Sequence, residues 1–155
     1  MMILGLSLVR LWLRGGLLAN RKIILMIPGK VPRKSNSRRV VRRGGKVAVI
    51  KSRDALRYLK TPYTVWVGRP SFGNVTSIPF GSKDHAVSVK AAIFYPWHTK
   101  GDLSGEMILD YLVHVGILSD DRYVKKQVWI KDYDKDNPRS VVVVEEYDTW
   151  CEFSL

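Results

Sequence analysis

The sequence predicts a single small α+β domain in which two main helices accompany a mixed sheet of about five or six strands. Three observations carry that expectation. Short β-branched and aromatic runs recur along the chain, two stretches switch to helical periodicity, and 155 residues with 46% hydrophobic content suit one core.

The first 20 residues, MMILGLSLVRLWLRGGLLAN, are apolar but interrupted by Arg10 and Arg14. An uninterrupted run of about 20 apolar residues is needed to cross a bilayer, so this segment is expected to be an extension and not a span. A secretory signal places its charge ahead of the apolar run, whereas here the charge sits inside it. A cytoplasmic location is therefore expected, with the domain proper occupying residues 21–155.

Lys22 to Ile27 reads as a first strand stopped by Pro28-Gly29. From Lys30 to Lys46 the chain is Pro, Ser, Asn, Gly and basic residues, the pattern of a solvated loop that orders on a partner. Lys46 to Ile50 reads as a short strand. Ser52 is placed to cap RDALRYLK, whose Ala55, Leu56 and Leu59 form an apolar stripe, and Thr61-Pro62 stops that helix. Tyr63 to Val67 and Ala86 to Tyr95 are strands by composition, with a Gly/Ser/Pro-rich connection between them.

From Asp102 the period changes. Leu103, Met107, Ile108, Tyr111, Leu112 and Val115 recur at helical spacing and Gly116 ends the run. Val124 to Ile130 and Ser140 to Glu145 complete the strands, and the Asp132-to-Pro138 segment between them reads as a hairpin link. Trp66, Trp97, Trp129 and Trp150 fall in or beside strands and are expected first as core residues.

Charge is divided unevenly. Residues 1–60 hold 16 of the 26 Lys and Arg residues and one acid, Asp54, for a sum of +15, whereas residues 61–155 sum to −3. A basic front of this size points to a polyanion, nucleic acid above all. Lys34, Asn36, Arg38, Arg39, Arg42, Arg43, Lys46 and Lys51 are the candidate contacts, suited to phosphates more than to bases. A solubilising or ribosomal-type basic segment is the plainer alternative. Cys151 is the only cysteine, which excludes an intrachain disulfide and a cysteine-built zinc site.

The acids gather between Asp102 and Asp121. Asp102, Glu106 and Asp110 are spaced i, i+4, i+8 and share one face if the segment is helical, and Asp120-Asp121 follow the Gly116 turn. Converging carboxylates make a hard oxygen site for Mg²⁺ or Mn²⁺, which activates water and neutralises charge on a phosphodiester. The alternative is a solvated helix face. Asp132, Asp134 and Asp136 begin like an EF-hand loop, but Asn137 and Val143 occupy the positions that need Gly and Glu, leaving a polar turn. His85, His98 and His114 lack a metal-binding spacing, and no serine or cysteine sits in a nucleophile motif. His98, just ahead of the acids, is the one histidine placed to touch a phosphate.

These residues resemble the RusA family of Holliday-junction resolvases over roughly Ile24 to Glu146. IPGKVPRKSNSRR is similar to the family's first strand and basic loop, and IKSRDALRYLK to its Ser-x-x-Ala-x-x-Tyr helix. ILDYLVHVGILSDDRYVKKQVWIKDY is similar to its Leu-Asp-x-Leu helix, Gly turn, Asp-Asp pair and following strand, with VVVVEE as the last strand. The resemblance implies a homodimer acting on four-way DNA junctions, with no membrane or small-molecule substrate, in a prokaryotic or phage-infected cell.

It also implies a metal site held by Asp102, Asp121, Asp120 and Glu106. The family pattern reads Asp-x-Asp-Asn before the helix with a lysine beyond, but here its first Asp position is Lys100, its Asn position Leu103 and its Lys position Glu106. Two readings are open. Acid and lysine have exchanged places, leaving Asp102, Asp121, Lys100 and Glu106 as the catalytic set, or the site is empty and the chain binds DNA without cutting it.

Overall fold

Strand β1, Lys22–Pro28, alternates buried Ile23, Leu25 and Ile27 with half-buried neighbours, the period of two that covers one sheet face. The computed structural model describes residues 21–33, 37–67, 79–98 and 105–147. Within them, β2 (Arg38–Arg43), β3 (Lys46–Lys51), α1 (Arg53–Leu59), β4 (Thr64–Val67) and β5 (Ala86–Tyr95) are followed by α2 (Glu106–His114), β6 (Val124–Tyr133) and β7 (Arg139–Tyr147). Five strands form one sheet in the order β4-β1-β7-β5-β6, and β2 and β3 form a separate two-stranded ribbon. The α+β class and the two helices agree with the sequence reading.

The sheet is mixed. β1 pairs antiparallel with β4 and β7, β7 pairs antiparallel with β5, and β5 pairs parallel with β6. A parallel pair needs a crossover, and α2 supplies it between β5 and β6. The core lies between one sheet face and the two helices: Leu25, Ile27, Val89, Ile93, Val142 and Val144 meet Ala55 and Leu59 of α1 and Ile108, Tyr111 and Leu112 of α2. Tyr111 also donates its hydroxyl to the Thr61 carbonyl at 2.6 Å, and burial pushes its pKa up to about 12. The hydroxyls of Tyr58 and Ser140 are buried together, and burial raises the Tyr58 pKa further.

Helix α1 forms as its sequence dictates, with Ser52 Oγ accepting the Ala55 N–H at 3.2 Å. Helix α2 corrects the expected start: its N-cap is Gly105 and its first residue Glu106. The helical i, i+4 spacing therefore holds for Glu106 and Asp110, and Asp102 lies outside the described residues. Gly105 is fixed by Trp129, because a Cβ added there would stand 2.1 Å from the indole ring. Gly105→Ala is expected to destabilise the fold by about 1–3 kcal/mol through overpacking and to displace Trp129, read as a lower urea midpoint with an altered tryptophan emission.

Three further expectations change. The supposed hairpin link does not join neighbouring strands, since β5 lies between β6 and β7. The connecting turn crosses the end of β5, where Asp134 N–H donates to the Tyr95 carbonyl at 2.9 Å, and Arg139 pairs with Asp134 and holds its carboxyl below the usual range. Two of the predicted core tryptophans are half exposed, Trp66 at 52% and Trp97 at 48%, while Trp129 packs against the core and Trp150 is not among the described residues. Finally, much of the predicted basic loop is the β2–β3 ribbon.

Among the described residues no helix is long and apolar enough to cross a membrane.

Candidate nucleic-acid interface

The ribbon forms because two valine-containing runs flank Gly44-Gly45, whose φ values of 57° and 78° are those of a tight hairpin turn that L-residues adopt reluctantly. Its register pairs Arg38 with Lys51, Val40 with Val49, Arg42 with Val47 and Arg43 with Lys46. Basic residues thus stand at both ends of the ribbon and valines between them. Val40, Val47 and Val49 are 67%, 63% and 62% exposed, so the ribbon face they share stands clear of the core, while Val41 on the other face is half-buried. Arg38, Arg39, Arg42, Arg43 and Lys46 meet no acid among the described residues. Lys34 and Asn36 lie outside those residues.

The base of the ribbon is anchored. Ser52 N–H donates to the Ser37 carbonyl at 2.8 Å, and Lys51 Nζ meets Asp110 Oδ2 of α2 at 2.8 Å. Lys51, expected to track phosphate, is therefore already paired with a carboxylate. Both side chains are 42% exposed, so Asp110→Ala is expected to cost less than about 1 kcal/mol in denaturant unfolding.

The candidate acidic site is divided by α2. Glu106 opens the helix near the end of β5, and the Asp120-Asp121 pair comes after its other end, beside the start of β5. Ser119 N–H donates to the Phe80 carbonyl there at 2.9 Å, and Ser119 Oγ donates to the Gly81 carbonyl at 2.6 Å. Nine helical residues extend about 13 Å, so the two halves do not converge within one chain. Among the described residues no group of three or more His, Cys, Asp or Glu side chains could hold a metal ion. Lys100 and Asp102 lie outside them.

Asp120 has both oxygens engaged: Oδ1 accepts the Arg122 N–H at 2.9 Å and Oδ2 meets Arg122 Nη2 at 2.7 Å. These bonds lower its pKa from 3.8 to about 2. A depressed carboxylate stabilises the fold above the ordinary value and loses that contribution as pH falls through the folded one, here between about 3.8 and 2. Arg122→Ala is expected to return the Asp120 titration toward 3.8, followed by carboxyl NMR. Asp121, the first residue of the short 3-10 turn Asp121–Tyr123, is exposed. His98 stacks on Tyr133 with ring centres 4.3 Å apart.

Sequence reasoning placed β3 as a short strand but read β2 as loop, although Gly-Gly between two β-prone runs is a hairpin signal. It also passed over the surface formed by Lys30, Arg33, Arg57 and Trp97.

Fold and site define an α+β domain bearing an exposed basic β-ribbon and acids at both ends of its crossover helix. No protein-family model matches the chain, and no curated protein matches it.

Proposed function

We propose that this chain grips the duplex arms of branched DNA with its β2–β3 ribbon and, as a homodimer, nicks the DNA in a Mg²⁺- or Mn²⁺-dependent reaction. The ribbon is the observation that carries the reading: five cations without acidic partners among the described residues on a projecting two-stranded hairpin. Such a ribbon fits the major groove of B-form DNA, about 12 Å wide, and does not fit the deep, narrow major groove of A-form RNA. The branched substrate and the cleavage come from the resemblance to RusA resolvases.

The described carboxylates of one chain do not fit a single metal ion. The proposed site therefore lies across a twofold dimer, with Glu106 of one copy beside Asp121 of the other and Asp102 assigned to the same metal by the resemblance. A bound Mg²⁺ would supply charge neutralisation and an activated water. The chain's own part is to hold carboxylates at the scissile phosphate, with Lys100 as a cation beside them. Asp120 contributes only on release from Arg122.

A second reading, a DNA-binding relative that does not cut, is favoured by the separation of the acids and by the engagement of Asp110 and Asp120. Incubating the protein with a labelled immobile four-way junction or a matched linear duplex, in Mg²⁺, Mn²⁺ or EDTA, separates the two. Metal-dependent nicks confined to the junction are expected. Binding without nicks leaves the non-cutting reading, and preferential binding of RNA sinks both.

A further inference from the structure

We infer that the cleft between the end of β1 and helix α1 is a binding site for a single unpaired nucleotide. Its volume is about 650 Å³, within the range of about 300–1,000 Å³ typical of ligand pockets. One wall is the chain leaving β1, with Lys30, Pro32 and Arg33; the other is α1, with Asp54 and Arg57; Trp97, just past β5, completes it. Three cations against one acid favour a phosphate. A half-exposed indole and proline faces favour a flat aromatic ring.

The parts are arranged for that ligand. Lys30 Nζ stands 4.1 Å from the centre of the Trp97 ring, held there by the ring's negative face. A base that takes that face hands the ammonium to the phosphate attached to it, exchanging a cation–π contact for an ion pair. Arg33 meets no acid among the described residues, and Arg57 reaches Asp54 at 3.9 Å with both side chains largely exposed. That loose pair leaves the guanidinium able to turn to phosphate and the carboxylate able to accept an N–H from a base edge. Rigid walls lower the ordering cost: Pro32 fixes its own φ, and Gly29, at φ 89°, donates its N–H to the Pro138 carbonyl at 2.8 Å.

Position ties the cleft to the acids. β1 and β5 both pair antiparallel with β7, so their ends lie at one edge of the sheet, and α2 starts there with Glu106. Asp102 is five residues beyond Trp97 in the chain. A nucleotide unstacked at a branch point would be held at the end of the sheet where Glu106 opens α2. The inference rests on the DNA-binding reading for the source of its ligand and not for the ligand's chemistry.

The test uses the full chain with 5′-phosphorylated tetradeoxycytidylate, the same backbone without bases, and free deoxycytidine monophosphate. The strand is expected to bind, and Trp97→Ala to weaken it about tenfold or more, as expected for loss of one base stack. Trp66→Ala, a half-exposed tryptophan outside the cleft, is expected to change nothing. Equal binding of the base-free backbone, or no effect of Trp97→Ala, overturns the proposal. Free monophosphate binding as tightly as the strand assigns the cleft to a small nucleotide and keeps the chemistry. On the four-way junction, 2-aminopurine at the branch point is expected to be quenched in a Trp97-dependent way. Strand binding through Trp97 without junction preference leaves the cleft standing and removes the branched-DNA reading; junction binding with no strand binding does the reverse.

Discussion

Mixing Asp102→Asn protein with Asp121→Asn protein is expected to restore nicking that neither variant shows alone. Each substitution removes a carboxylate assigned to the metal, and loss of several kcal/mol of transition-state stabilisation corresponds to a fall of at least about 100-fold in Mg²⁺-dependent nicking. Glu106, grouped with Asp102 in the proposed metal set, and Asp121 flank a crossover helix about 13 Å long, so the proposed shared site draws its acids from both copies. In a one-to-one mixture half the dimers are heterodimers, and half the sites of each heterodimer keep both acids. Nicking should return to about a quarter of the wild-type level, since a twofold interface makes the two sites equivalent. Junction binding, read by gel shift, should persist in both variants and in the mixture. No recovery on mixing would falsify the two-copy site, and undiminished nicking by either single variant would remove that acid from the mechanism.

Removing the ribbon's charge is expected to have the second large effect, on binding. In Arg38, Arg39, Arg42 and Arg43 all replaced by alanine, four phosphate contacts disappear, and the slope of log affinity against log salt should flatten by about 3.6. At moderate ionic strength that weakens junction binding by orders of magnitude. The four side chains lie on a ribbon outside the core, so the unfolding midpoint should hardly move. A flat response of the salt slope would show that the duplex lies elsewhere. Substituting Val40 and Val49 by serine tests groove contact separately: if the ribbon enters the major groove, these side chains meet base edges and thymine methyl groups, and replacing thymine by uracil in the arms should mimic their loss.

Much of the fold was legible because its signals are local. Ser52 as a cap, the 22–27 run and the Ala86–Tyr95 strand follow from side-chain type and a repeat of two or 3.6 residues, and the structure places them close to those bounds. The β2–β3 ribbon was half legible, since Gly44-Gly45 marks the turn, but its many arginines read as loop. They are tolerated in strands because the ribbon pays no burial cost for their charges. The candidate site was legible as a list of acids and not as a place. Spacing of Asp102, Glu106 and Asp110 assumes that the helix already runs at Asp102, whereas Trp129, contributed by a strand more than twenty residues later, sits against the Gly105 cap where α2 begins.

By itself, then, the sequence determined the kinds of element, their order along the chain and the separation of a basic front from an acidic middle. The tertiary structure decided strand order, and with it the rest. Inserting β5 between β6 and β7 turns an apparent hairpin into a connection that passes over β5 and makes β5–α2–β6 a parallel crossover, which sets Asp120 and Asp121 at the opposite end of α2 from Glu106; the same packing brings Lys30, Arg57 and Trp97 around one cleft. Local pattern cannot fix such matters: periodicity says which face of a strand is buried, while the choice of neighbour is set by the long-range fit of many apolar surfaces at once.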